Sequence, residues 1–192
     1  EHIYIETNGV VAHPGPEGGV EIVGSLQCPY YVQKALAFLL EVEDEKVVVK
    51  QAVTGGGFGG KEDFPDMISA HAALLALRTG KSIKIIYERQ EDINSTTKRH
   101  PARIVHRTAV AEDGSLLAMD IEVFLDGGAY VTLSPVVLSR AVIHAGGAYR
   151  CPNVRIQGRV LATNTAPNGA FRGFGAPQSI FGVERHMDKI AR

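Results

Sequence analysis

The stretch Val53-Thr54-Gly55-Gly56-Gly57-Phe58-Gly59-Gly60-Lys61-Glu62 decides how this sequence is read. Five of its ten residues are glycine. It follows an alternating apolar run over residues 46–53, which predicts a strand. It precedes an apolar run over residues 66–78, which predicts an almost wholly buried helix closed by Gly80. Glycines between a strand and a helix let the backbone turn sharply and bring several N–H groups toward a ligand. Phe58 supplies the only bulk. Lys61 and Glu62 fall where the helix should begin, beside whatever the loop holds.

Three readings of this stretch compete. Gly55, Gly60 and Lys61 fit the spacing of a nucleoside-triphosphate loop, but Glu62 stands where a hydroxyl should meet magnesium, and a carboxylate there repels phosphate. Gly55, Gly57 and Gly60 fit the dinucleotide fingerprint between a strand and a helix. Glu88 then lies at the end of the next strand, further on than the usual ~20 residues. The third reading is a glycine-rich turn used only for tight packing.

The bulk properties narrow the partners. A chain of 192 residues, 45% hydrophobic and 21% charged, is ordinary for one large or two small globular domains. A formal net charge of −1 gives no footprint for nucleic acid or an anionic membrane. No apolar run approaches the ~20 residues that span a bilayer, and the first residues alternate rather than forming a leader. Cys28 and Cys151 lie far apart without CxxC spacing, which argues against an iron–sulfur or zinc site and for two free thiols in a reducing cytoplasm. The chain begins at Glu1 in strand-like sequence and ends at Arg192 in helical sequence, as a piece of a longer protein would.

Along the chain, alternation predicts strands over residues 2–6, 10–12, 20–25, 46–53, 82–87, 102–111, 115–126 and 154–163. Glu112-Asp113-Gly114 should join residues 102–111 and 115–126 as an antiparallel hairpin with one wet face, and Gly127-Gly128 should end that pattern. Helical patterns cover residues 30–40 behind Pro29, 66–78, 134–146 and 178–191 behind Pro177, with a helical turn near 89–94. His71 within the second of these reads as a core histidine rather than a ligand. Arg140, amid apolar residues, is either a snorkelling surface residue or a buried anion anchor. The fold class that follows is α+β, with mixed and antiparallel sheets carrying packed helices. Two lobes are expected, residues 1–95 around the glycine loop and 96–192 around the hairpin.

A second irregular stretch, residues 164–178, carries Ala170-Phe171-Arg172-Gly173-Phe174-Gly175-Ala176-Pro177-Gln178. Its Gly173-Phe174-Gly175 repeats Gly57-Phe58-Gly59, and both precede a helix. Two flexible loops, each with an exposed phenyl ring, could grip a flat anionic ligand from two sides. Arg172 would add a planar cation suited to an oxyanion.

Together these two loops resemble the molybdopterin-binding portion of the molybdenum hydroxylases, and within that family most resemble the xanthine dehydrogenases. The similarity extends over nearly the whole chain, beginning with Glu1-His2-Ile3-Tyr4-Ile5-Glu6. The resemblance implies a hydroxylase of xanthine or hypoxanthine that uses water as oxygen source and a pterin-held molybdenum centre. Electrons would leave through iron–sulfur clusters and FAD in other segments or subunits. It also implies roles. Gln27 would hydrogen-bond a molybdenum oxygen. Phe58, Gly59 and Arg172 would present backbone to the cofactor, and Phe174 would pack against the bound heterocycle. Glu62 and Arg140 would face substrate, because purine-acting members carry a Glu and an Arg there and aldehyde-acting members commonly carry apolar residues. The chemistry agrees: a purine offers ring nitrogens to a carboxyl, and hydroxylation builds negative charge that a guanidinium stabilises. The family's general base has no counterpart among these residues.

Overall fold

The computed structural model describes residues 1–192, which divide into two units, Glu1–Lys98 and Arg99–Arg192. In the first unit, strands β1 (Gly9–Pro14), β2 (Val20–Gly24), β3 (Val47–Gln51) and β4 (Ile83–Ile86) form one sheet in the order β3-β2-β1-β4. β1 runs antiparallel to β2 and β4, and β2 runs parallel to β3. The parallel pair needs a long crossover, supplied by helix α1 (Pro29–Leu40). Pro29 opens α1, where its missing N–H costs nothing. Helix α2 (Pro65–Thr79) starts the same way and closes on Gly80 at φ 65°. Alternation turns Val10, Ala12, Val20 and Ile22 to one face, where they meet Leu36 of α1 and Ile68, Ala72 and Ala76 of α2. A short helix, α3 (Arg89–Ser95), follows β4.

Two expectations fail in this unit. Residues 2–6 alternate inward and outward, with His2 and Tyr4 buried and Ile3 and Ile5 exposed, but they join no sheet. The carbonyls of Tyr4 and Ile5 accept bonds from the Arg89 guanidinium at 2.6 and 2.7 Å, and Glu6 N–H bonds Gly55 O at 3.2 Å. A side chain and a loop thus do what a neighbouring strand would have done. Nor is α2 wholly buried: Met67, Leu74 and Leu75 are about half exposed, and His71 is an exposed residue instead of a core histidine.

In the second unit, β5 (Ala102–Val110), β6 (Leu116–Gly128) and β7 (Val154–Ala162) form a sheet centred on β6, antiparallel to β5 and parallel to β7. The hairpin forms at Glu112-Asp113-Gly114, with Gly114 at φ 85°. Gly127-Gly128 ends β6 as expected, with a bulge at Asp126/Gly128, where Gly128 takes φ 80°. Helices α4 (Ser134–His144) and α5 (Ala176–Ile190) belong to this unit. Val137 and Ala141 of α4 join Met119, Ile121, Val123 and Leu125 of β6 in its core. The two larger sheets are mixed and both carry helices, as the α+β expectation required. No helix is long and apolar enough to cross a membrane.

Candidate functional site

The two phenylalanine-bearing loops share a backbone conformation. In the first unit Gly60 N–H bonds Gly57 O at 2.8 Å, and the central residues Phe58 and Gly59 have φ 52° and 95°. In the second, Ala176 N–H bonds Gly173 O at 3.0 Å, and Phe174 and Gly175 have φ 52° and 96°. Positive φ at both central positions with an i to i+3 bond is the signature of a type I′ turn. Glycine suits both positions, so a phenylalanine at the first one holds roughly 1–2 kcal/mol of strain in each loop. Strain of that kind collects at binding and catalytic sites.

In the first unit the Gln27 side chain supports the turn from below. Its Oε1 accepts Gly59 N–H at 2.9 Å and Lys61 N–H at 3.3 Å, while Gln27 N–H bonds Lys61 O at 2.6 Å. Two donors on one atom fix the amide orientation, and Nε2 of this exposed residue is left as a free donor. Gly57 makes room for this: a Cβ there would overlap Oε1 and lie 2.8 Å from Cδ of Gln27. Gly59 N–H is therefore committed inside the protein, whereas Phe58 N–H takes no partner in the loop and the residue is 50% exposed.

Glu62 follows, with its N–H on Gly59 O at 3.3 Å. Burial, then the charge of Asp63, pushes its carboxyl above the ordinary glutamate range. Asp66 at the start of α2 rises to about 6, mainly from burial. Burial, then Glu62 and Asp63, also raise the Cys28 thiol. The structure thus brings Gln27, Phe58, Gly59 and Glu62 together around one turn, beside carboxyl groups that ionise reluctantly.

Lys61 does not stand beside a ligand. Its side chain is 0% exposed, and Nζ bonds Glu6 Oε2 and Ser25 Oγ, each at 2.9 Å, over the face of the Tyr4 ring at 4.8 Å. The nucleoside-triphosphate reading needs that ammonium on phosphate, and its three donors are already used inside the fold.

In the second unit, Arg172 has an exposed side chain and a backbone N–H outside the loop's hydrogen bonds. Its carbonyl is held by Arg99 Nη2 at 2.8 Å, and the Arg99 guanidinium stacks 4.3 Å from the Phe171 ring centroid. The ring of Phe174 is not freely exposed as expected, because it packs partly against the core that contains Val137 and Ala141. Gly175 is pressed against α4, where a Cβ would overlap Val137 O and approach Ala141 N to 2.9 Å. Arg140 lies on that same turn of α4 and is exposed.

Glu6 and Arg99 are the participants that sequence reasoning missed. Glu6 is a lone charge at the end of an apolar run and Arg99 follows Lys98 in a polar one, and the only signal was a charged residue adjoining a segment that ought to be paired.

Comparison with known proteins gives the family. A family model described as "Molybdopterin cofactor-binding domain" matches residues 1–192. The chain is 39% identical to "Nicotinate dehydrogenase large molybdopterin subunit" of Eubacterium barkeri, covering 100% of this chain and 44% of that one. It is 38% identical over 192 residues to "Xanthine dehydrogenase/oxidase" of Mus musculus, covering 100% of this chain and 14% of that protein. Among solved structures, the aldehyde oxidoreductase from Desulfovibrio desulfuricans ATCC 27774 superposes with TM-score 0.90 at 31% identity, over 98% of this chain and 21% of the other. The chain therefore spans less than half the length of the relatives it matches. Since the family model runs from the first residue to the last, the chain belongs to the molybdopterin cofactor-binding domain family.

Proposed function

We propose that this chain holds molybdopterin for a molybdenum-dependent hydroxylase acting on a purine of the xanthine or hypoxanthine type, with water as oxygen source. The observation that carries the reading is the pair of matching strained turns: the first holds an uncommitted amide at Phe58, and the second, whose Phe174 N–H bonds Phe171 O at 2.8 Å, is preceded by an uncommitted amide at Arg172. A pterin with its phosphate and metal oxygens is rich in acceptors. Gln27 Nε2 and Phe58 N–H of the first unit, and Arg172 N–H of the second, are the donors that each unit offers to such a group. Gly59 contributes its left-handed backbone, which permits close approach, because its N–H already serves Gln27. When bound, the cofactor supplies the redox chemistry; the iron–sulfur and FAD centres of the resemblance belong to other segments or subunits, and the parent works in the cytoplasm.

The remaining residues choose and orient the substrate. Glu62 is half-buried, and burial, then Asp63, raise its pKa above the ordinary glutamate range; its carboxyl is the group offered to a ring nitrogen. Arg140, free on the surface of α4, offers a guanidinium to charge that grows on the heterocycle during reaction. The accessible part of Phe174 gives the ring a flat contact. A carboxyl from the first unit and a guanidinium from the second each favour a purine over a hydrophobic aldehyde, which needs neither group.

The alternative substrate classes are aldehydes and other N-heterocycles, which the names of the oxidoreductase and nicotinate relatives keep open. Metal and flavin analysis of the intact enzyme tests the class: molybdenum together with iron and flavin is expected, and their absence overturns it. Substrate profiling of Glu62→Val and Arg140→Met tests the purine. Purine turnover should collapse while aldehyde turnover survives, and equal loss of both refutes the assignment.

A further inference from the structure

Lys61 is the cation of a glycine loop that the proposed function leaves without a task, and its surroundings are unusual. An ammonium with 0% exposure has been taken wholly out of water, which is costly unless every donor is matched. Here each is: one carboxylate oxygen, one hydroxyl and one aromatic face. The carboxylate oxygen is Glu6 Oε2, and it also accepts Gly55 N–H at 2.6 Å and Ser25 Oγ–H at 2.5 Å. Gly55 begins the loop and Lys61 ends it. A single oxygen atom therefore ties both ends of the glycine run. The Lys61 backbone completes the brace, since its N–H and C=O both bond Gln27.

The glycines record how tightly this brace is drawn. A Cβ at Gly55 would lie 2.6 Å from Glu6 Cβ, and one at Gly60 would lie 2.6 Å from the Tyr4 ring and 2.7 Å from the His2 ring. The residues at 2, 4 and 6 thus form the wall against which the loop is shaped. Hydrogen bonds from Ser25, Lys61 and Gly55 outweigh the opposing effect of burial and hold the Glu6 carboxyl down at about 2, so this carboxylate is charged across the working pH range.

We propose that Lys61 is a positioning residue: with Glu6 it locks the two ends of the 55–61 loop together, and so fixes the direction in which Phe58 N–H and Gln27 Nε2 present themselves to the bound group. The second half of this statement rests on the cofactor reading above; the first half does not.

The test uses Lys61→Met, Glu6→Ala and Glu6→Gln in the intact protein, with two separate readouts. Amide hydrogen exchange follows Gly55 and Gly59 in the loop against Ile22 in the core of β2. Pterin content is measured after denaturing release. Loss of a charge-assisted bond predicts roughly 10- to 150-fold faster exchange at Gly55 in Glu6→Ala. Gly59 should respond in the same direction in Lys61→Met, with Ile22 unchanged and retained pterin falling in step. Glu6→Gln keeps an acceptor oxygen and removes the charge, so its loop exchange should lie between those of the native protein and Glu6→Ala. It also stands in should Lys61→Met fail to fold. Loop amides exchanging at the native rate, or rising only as much as Ile22, overturn the latch. Faster loop exchange with native pterin retention overturns the positioning role. A native protein that holds no pterin, but whose variants still loosen the loop, leaves the latch standing and removes the cofactor reading instead.

Discussion

Substituting Gly57 by alanine separates the support of the loop from the stability of the fold. The φ of Gly57 is not in the left-handed region, so alanine is tolerated by the backbone there. Its methyl group, however, would occupy the space of the Gln27 amide, with Cδ at 2.8 Å and Cγ at 3.1 Å from the new Cβ. Gln27 is a flexible side chain on the surface, so it moves and the backbone does not. The cost is then two neutral hydrogen bonds, from Gly59 and Lys61 N–H to Oε1, or about 1–3 kcal/mol before compensation. Loss of unfolded-state freedom at the former glycine returns about 0.4–1 kcal/mol. A net destabilisation of about 0–2.6 kcal/mol, centred on about 1.3 kcal/mol, follows from these terms. Urea unfolding of Gly57→Ala, Gln27→Ala and the double variant measures it. Because the two single changes remove the same bonds, the double variant should cost about as much as the worse of the singles. Additive costs would refute the reasoning, for they would mean that Gly57 and Gln27 act on different parts of the structure. Pterin content should drop in Gln27→Ala and Gly57→Ala alike.

Three further outcomes follow from groups outside the turn. Asp92 is fully buried and accepts Tyr4 OH at 2.6 Å, Asn8 N–H at 2.7 Å and Asn8 Nδ2 at 3.1 Å, so Asp92→Ala should cost about 3–5 kcal/mol in urea unfolding and Tyr4→Phe about 1.5–3 kcal/mol. Glu6 falls from 4.5 to about 2 in the folded protein, so its contribution is complete above pH 4.5 and disappears as pH falls from there through 2; Glu6→Gln should flatten that part of a stability–pH curve. His106 is pushed down from 6.5 to about 4 by burial and then by His186, whose ring centroid lies 4.2 Å away. The folded state then binds the proton less readily than the unfolded one, so its stability is unaffected above pH 6.5 and declines between 6.5 and 4; His106→Asn should remove that decline in thermal melts taken across the range.

The strands that carry the core were legible because burial on one face writes itself into alternation, as at Val10 and Ala12 or along Met119 to Leu125. Helix ends were legible where chemistry forces them, at Pro29 and at Gly80. Partner and direction were not. Alternation reports which side chains face inward and says nothing of the neighbouring backbone, so residues 2–6 looked like a strand while their carbonyls were destined for Arg89. The parallel pairings of β3 with β2 and β7 with β6 escaped for the same reason, although a helix between each pair was the available clue. In α2 the apolar content misled: the sheet lies against small residues, Ala72, Ala73 and Ala76, and leaves the larger Leu74 and Leu75 half outside. Lys61 was misplaced because its partner Glu6 lies 55 residues away, a separation no local pattern spans.

The two left-handed phenylalanines look equivalent in sequence and in φ, yet their surroundings assign the strain different causes. Phe174 is partly buried against its unit's core, so packing can hold it in the costly conformation. Phe58 has half its surface in water, and no comparable packing compensates for its backbone. Glycine at each position tests the difference. Phe58→Gly removes roughly 1–2 kcal/mol of strain and restores roughly 0.5–1 kcal/mol of chain entropy cost, so stability should be unchanged or slightly raised. Phe174→Gly removes similar strain but also gives up part of the roughly 1.5–3 kcal/mol that burying a phenyl ring contributes, and should fall below Phe58→Gly in thermal melts. If Phe58 is kept for the bound group, Phe58→Gly will lose pterin without losing stability. A Phe58→Gly protein that melts markedly lower would instead show the ring to be a structural support, and the strain at φ 52° would need no ligand to explain it.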